Sequence, residues 1–324
     1  MRRTILLSLL FASAFFCVNQ AAAQAVHVGY SAKVLTYLPL FVAQERGFYA
    51  AEGLKAELHL MARTDQHLQA LVAGELHFAV FNPDGIILFN EQGGNLKVVA
   101  GVANAAPYLL IGSKEVKKLD DLKGTKLGAS ALKGGTGSLI LAYLRAKGMS
   151  YPRDYALVVI AGGTPAFLSA LEKGAIAAAA LGIPFSDMAL DQGLTNLGDI
   201  TDVLPAYQFN AINVSPAWAE KNRATVAKLL KAHIRSIRWI YDNPGEAAEL
   251  TLKEMGIKQP YSRKGIDYFI KHKVFPLDGS VSMEGLKANI EVQARDELIK
   301  EPLPPPQKYV DSSYLRQALK ELGM

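Results

Sequence analysis

From Val26 onward, short apolar runs alternate with longer stretches whose apolar residues recur every three or four positions. Val26-His27-Val28-Gly29-Tyr30 predicts a strand, and Pro39 predicts the first turn of a helix. Residues 54–60, LKAELHL, have period two and predict a second strand. A helix over about 64–74, a strand at 77–81, a helix after Pro83 and a strand at 97–102 follow. The same grammar returns between about 113 and 205. There the strands are expected at 126–130, 155–160 and 176–181, with helices after Thr136, Thr164 and Pro184. Strands joined through helices run parallel with helices on both faces, so each unit is expected to be an open α/β sheet. Residues 108–112 and 209–214 read as an extended connection and its return partner, together a double crossover, with hinge points near Ile111 and Asn213. Ser215-Pro216 opens a helical tail expected at 217–243, 244–255, 262–272, 282–300 and 312–322, with a stiff proline-rich spacer at 301–306.

A chain of 324 residues that is half hydrophobic and one-fifth charged buries a sizeable core, and its length suggests two lobes. Its 35 basic and 30 acidic residues are interspersed, which disfavours nucleic acid as a partner. Met1-Arg2-Arg3-Thr4 and the apolar stretch to Val18 lead to small residues at 21–23, the pattern of a secretory signal peptide. Two A-x-A frames place cleavage after Ala23 or Ala25. Cys17 lies inside this segment, behind Phe15 and Phe16 where a lipid-anchor signal has small residues. The mature chain therefore has no cysteine, no disulfide and no thiolate nucleophile or ligand. The six histidines show no i, i+4 pair on a helix and no H-E-x-x-H, so no metal site and no cofactor is expected.

Val28-Gly29-Tyr30-Ser31, residues 37–49 (YLPLFVAQERGFY) and Glu52-Gly53-Leu54 resemble the opening of the nitrate/sulfonate/taurine binding proteins, which include relatives binding thiamine-pyrimidine precursors. Residues 71–79 (LVAGELHFA), 119–124 (LDDLKG), and 168–174 (LSALEKG) ahead of Ile183-Pro184-Phe185 extend the resemblance over the mature chain. One departure is Ala175-Ile176-Ala177, where the family commonly has an aspartate after the glycine. The resemblance implies an α/β, two-lobed periplasmic binding protein of the type II Venus-flytrap kind. Its two open, mostly parallel sheets would be flanked by helices, with a double-strand hinge and a helical C-terminal tail. Residues 1–23 would be the signal peptide, 24–110 with 211–324 the first lobe, and 111–210 the second. It further implies a periplasmic monomer that catalyses nothing. It would capture a small organic anion (sulfonate, carboxylate or aromatic acid) and deliver it to an ABC permease and its ATPase at the inner membrane. The rivals are an enzyme on the same fold, resembling pyrimidine synthases or chorismate dehydratases, and an extracytoplasmic sensor subunit. The synthases carry a cysteine-rich motif that this mature chain lacks.

In open parallel sheets ligands sit beyond the carboxyl ends of the strands, where helix N-termini point inward. That rule selects Ser31, Tyr37 and Leu38; Asn82 and Asp84; Gly135, Thr136, Gly137 and Ser138; Thr164; and Pro184 with Phe185 as ligand-binding candidates. The segment 133–138 (KGGTGS) suits a carboxylate, sulfonate or phosphate, and ordinary N-capping by Thr136 is the competing explanation. Asn82 and Asp84 around Pro83 are equally what a helix start would use. Among aromatic candidates, Phe41 and Phe81 are assigned to the core, Tyr37 and Phe185 to cleft loops, and Tyr108 and Phe209 stay open.

Overall fold

A computed structural model describes residues 23–324, so all of the expected signal peptide except Ala23 lies outside the described residues. The first half runs β1 (Gln24–Tyr30), α1 (Leu38–Glu45), α2 (Phe48–Ala51), β2 (Leu54–Leu60), α3 (Thr64–Ala73), β3 (Phe78–Phe81), α4 (Asp84–Glu91) and β4 (Lys97–Ala103). After it come β5 (Tyr108–Gly112), β6 (Lys126–Ala129), α5 (Gly135–Ala146), β7 (Ala156–Val159), α6 (Thr164–Glu172), β8 (Ala178–Gly182), α7 (Phe185–Asp191), β9 (Thr195–Asp199) and β10 (Asn210–Val214). The tail contributes α8 (Pro216–Lys221), α9 (Arg223–Asp242), α10 (Pro244–Met255), α11 (Tyr261–Lys271), α12 (Met283–Arg295) and α13 (Ser313–Glu321).

Two five-stranded sheets result, with orders β2-β1-β3-β10-β4 and β7-β6-β8-β5-β9. In each, one strand runs against the other four: β10 is antiparallel to β3 and β4, and β5 to β8 and β9. The inner strands are short and apolar because helices cover both faces. Every residue of β3 (FAVF), β8 (AAALG) and β10 (NAINV) is buried. The two asparagines of β10 are tolerated because their amides are used. Asn213 Nδ2 donates to the carbonyls of Ala79, Phe81 and Ala211, and Asn210 Nδ2 donates to Thr36 Oγ1.

One core lies between the first sheet and α1 and α9. The 20-residue α9 buries Val226, Leu229, Leu230, His233, Ile234, Ile237 and Ile240 at helical spacing. A second cluster on the opposite face joins Leu71, Ala79, Phe81, Ile86 and Val98.

The expected double crossover is present, with β5 in the second sheet and β10 in the first. Four expectations change. Ile111 and Asn213 sit within strands, and the chain crosses between sheets at 104–107 and again between Asp202 and Asn210. A boundary at residue 111 cuts through β5. Strand β9 was not foreseen, because Thr195-Asn196-Leu197-Gly198-Asp199 carries little apolar signal for an edge position. The helix expected over 217–243 is two, since Asn222 adopts φ −124°, ψ 33° and its side chain donates to Trp218 O. Helix α12 stops at Arg295 instead of reaching 300.

Phe78 is fully buried and meets the Trp218 ring edge-on at 5.2 Å. Phe78→Ala is expected to lower the unfolding free energy by about 3–5 kcal/mol. Leu60→Ala, at an exposed strand end, should change it by less than about 0.5 kcal/mol, with both read from urea unfolding curves.

Candidate functional site

The carboxyl ends of β1, β3, β6 and β7 and the starts of β5 and β10 converge on one cavity between the sheets, with about 70 Å³ open to the centre of a water-sized sphere. Ser31, Tyr37, Thr64, Phe81 and Asn82 line it from the first lobe, and Ser130, Gly135, Thr136, Gly163, Thr164 and Phe167 from the second. The crossing segments add Tyr108, Phe209 and Asn210. Helices α3, α5 and α6 all begin at this wall, which places the positive ends of their dipoles beside it. Among the described residues no lysine, arginine, histidine, aspartate or glutamate lines it.

Glycines make the close approach feasible. Gly163 (φ 66°, ψ −153°) precedes α6 in a conformation other residues avoid, and a Cβ there would lie 3.1 Å from Ala32 of the other lobe. At Gly137 a Cβ would meet Ala131 O at 2.1 Å, so the loop before α5 folds onto the helix only because that position is bare. Thr136 and Ser130 fasten the same loop reciprocally: Ser130 N donates to Thr136 Oγ1 at 2.9 Å, and Thr136 N to Ser130 Oγ at 3.1 Å. Ser138 Oγ accepts from Gly134 N at 3.0 Å.

Three polar groups define the first-lobe wall. Asn82 Oδ1 accepts from Asp84 N at 2.9 Å, which opens α4, whereas its Nδ2 is buried without a hydrogen-bond partner among the described residues. A buried donor left unpaired costs about 1–3 kcal/mol, so this one marks a place where a guest acceptor is wanted. Ser31 Oγ lies 3.1 Å from His67 Nε2, and the imidazole stacks on Phe81 at 5.1 Å. Burial holds His67 down to about 4, so it is neutral near neutral pH. Burial pushes the Tyr37 and Tyr108 phenols up, so both stay protonated donors.

Of the twelve positions expected from sequence, Ser31, Tyr37, Asn82, Gly135, Thr136 and Thr164 meet at this cavity. The others do not line it. Leu38 is a core residue at the start of α1. Gly137 and Ser138 shape and fasten the loop behind the wall. Pro184 packs against Gly265 of α11, and Phe185 faces a separate crevice shared with Leu35 and Phe269. Phe81, assigned to the core, is buried and also lines the cavity, while Phe41 packs on Tyr30 in the core. Thr64, Ser130 and Phe167 were missed. Thr64 follows β2 and Ser130 follows β6, so the rule that chose the other loops covers them as well.

Asp84 turns away from the cavity into the seam between lobes, where it is fully buried. Its Oδ1 accepts from Asn289 Nδ2 at 2.7 Å and Gln293 Nε2 at 3.2 Å, and its Oδ2 lies 2.7 Å from the Tyr207 hydroxyl. Gly134 of the second lobe closes over it, with a would-be Cβ 3.3 Å from Asp84 Cβ. Farther along the seam Arg145 of α5 pairs with Asp296, and the Tyr261 hydroxyl donates to Asp191 Oδ2 at 2.6 Å. Burial raises the Asp84 carboxyl above its ordinary value, against the opposing pull of its hydrogen bonds. The folded chain thus holds this proton more tightly than the unfolded one. The stability it brings is complete below the ordinary carboxyl value of 3.8 and is lost as pH rises through the elevated one. Asp84→Asn mimics the protonated acid, so its melting temperature relative to the parent should be higher at about pH 7 than at about pH 4. Thermal melts at both pH values check this, and an unchanged offset would count against it.

A model of the NMT1/THI5-like family matches residues 35–247, well over half of the chain. The riboflavin-binding protein RibY of Chloroflexus aurantiacus is 25% identical over 227 residues, which are 68% of this chain and 63% of RibY, less than two thirds of that protein's length. The periplasmic aliphatic sulphonate binding protein SsuA of Escherichia coli superposes with a TM-score of 0.67 at 20% identity, covering 89% of this chain and 92% of SsuA. The periplasmic nitrate-binding protein NrtA of Synechocystis PCC 6803 gives 0.75 at 14% identity, over 93% and 89%. Among the described residues no helix is long and apolar enough to cross a membrane. From the match over residues 35–247 and the paired sheets around one cavity, the chain belongs to the NMT1/THI5-like family and has the two-lobed fold of the periplasmic nitrate- and sulfonate-binding proteins.

Proposed function

We propose that this protein is the exported solute-binding component of an ABC importer, closing its two lobes on a small organic anion. The observation that carries the reading is the unpartnered Nδ2 of Asn82 in a cavity where three helix N-termini meet. Backbone N–H groups and neutral donors suit a carboxylate or sulfonate without a formal counter-charge. Tyr37, Phe81, Tyr108, Phe167 and Phe209 supply apolar and aromatic surface for an organic body. The wall is built of hydroxyls, amides and aromatic rings, and His67 behind Ser31 is buried and neutral near neutral pH, a lining that favours binding over acid–base chemistry. Periplasmic location and the permease partnership rest on the signal-peptide pattern of residues 1–23 and on the relatives. Cleavage after Ala23 keeps Gln24, whose N–H donates to Gly53 O at the start of β1.

A thermal-shift screen against carboxylates, sulfonates, pyrimidines and nitrate tests the reading. A ligand at about a hundred times its Kd adds roughly 2.7 kcal/mol to the folded state, and the radius of gyration in small-angle scattering should fall on binding. No shift from any organic anion, or an unchanged radius at saturation, would remove the proposal. Asn82→Asp keeps the acceptor that opens α4 and deletes the free donor. The new buried carboxylate should lower the melting temperature, and anion binding should weaken by at least roughly 1.5–3 kcal/mol, about one to two decades in Kd by calorimetry.

A further inference from the structure

On the outer part of the first sheet, away from the cavity, β1 and β2 pair in parallel with His27 opposite Glu57 and Gly29 opposite His59. Period-two geometry puts Glu57 and His59 on one face of β2, and the pairing brings His27 beside them. His27 Nδ1 is 2.9 Å from His59 Nε2 and 3.5 Å from Glu57 Oε2, and one ligand atom from each residue lies within 4.8 Å of the other two. All three side chains are half-buried. In a tetrahedral zinc site with bonds of about 2.0–2.1 Å, neighbouring ligand atoms stand roughly 3.3 Å apart, so these separations need only small adjustments.

We propose that His27, Glu57 and His59 form a divalent-metal site, best matched to Zn²⁺, with water completing the coordination. The surroundings prepare each ligand. Lys55 Nζ holds Glu57 Oε1 at 3.2 Å, leaving Oε2 toward the imidazoles. His77, stacked at 4.8 Å on Trp218, accepts the His27 backbone N–H at its Nδ1 and packs at 5.3 Å beside the His27 ring. This fixes the ring's position without using its metal-facing nitrogen. A metal requires bare nitrogens on both facing rings. As a ligand, each imidazole then carries its single proton on the nitrogen that faces away from the metal. The expectation of no metal site came from searching helical spacings. This cluster is assembled by strand pairing between residues 30 and 32 positions apart, which no local motif reports. The metal would pin the edge strand β2 to β1 about 13 Å along β1 from Ser31, a structural staple separate from the cavity.

The test uses untagged, metal-stripped protein titrated with ZnCl₂ by calorimetry, with native mass spectrometry for stoichiometry and Co²⁺ absorption for geometry. One zinc per chain, a tetrahedral Co²⁺ spectrum, and a melting temperature higher with Zn²⁺ than with chelator are expected. His59→Gln and Glu57→Gln, both at partly exposed positions of an edge strand, should each weaken binding by roughly a hundredfold or more, the upper end of what even outer-sphere changes cost. His272→Gln, just past the end of α11 in the stacked Tyr268–His272 pair, should leave it unchanged. Failure to retain zinc, or zinc binding that survives His59→Gln, would overturn the proposal.

Discussion

The first lobe depends on one set of backbone hydrogen bonds, those of β10. This strand lies between β3 and β4, and β4 has no other ladder among the described residues, only a single bridge from Val98 to Val310. Its five residues are all buried, so each N–H and C=O must find a strand partner or carry the cost of an unpaired group. Because β10 enters the first sheet straight from the second crossing, the same ladder anchors Phe209 and Asn210 at the cavity wall. Tyr108, at the start of β5, occupies the matching place after the first crossing and packs on Phe209 at 4.8 Å. The residues about which the lobes would turn are therefore residues that touch the cavity.

Charge is distributed unevenly around this junction. The cavity wall is formally neutral, while the seam beside it buries Asp84 against amides and a phenol without a facing cation. An ionised carboxylate there is costly, and keeping its proton is the cheaper solution for a shut molecule. Positive potential at the cavity comes instead from helix starts, which require no desolvated lysine or arginine. Both choices keep strong point charges out of the gap, so its surfaces meet without ion pairs that would have to be broken on opening. The ion pair that does span the lobes, Arg145 with Asp296, sits farther along the seam.

Much of the architecture was legible because period and punctuation agreed. LKAELHL is a strand with the expected bounds, Pro244–Met255 is a helix with the expected bounds, and the loops after β1, β3, β6 and β7 supply the wall as the strand-end rule requires. What failed did so for nonlocal reasons. Asn82 and Asp84 are two residues apart and read identically as helix-start polar groups. Only the packing of α12, with Asn289 and Gln293, draws one into the seam and leaves the other at the cavity. Phe185 looks like a cleft aromatic until the neighbouring α11 is in place. Strand β9 lacks an apolar run because an edge strand needs little of one. By contrast, the double crossover at 108–112 and 209–214 was legible, because each is a short apolar run outside the strand–helix alternation, and the two strands lie in different sheets.

The five strands of the second sheet occupy one uninterrupted stretch, from Tyr108 to Asp199, whereas the first sheet is split around it. As the polypeptide emerges amino end first where it folds, the inner module is covalently complete while the outer one still has β4 waiting at an open edge. That nesting imposes an order on assembly. The inserted half is able to settle first, and the surrounding half closes only when the returning strand arrives, which makes the stretch between residues 103 and 210 the one during which the unfinished sheet most needs shielding.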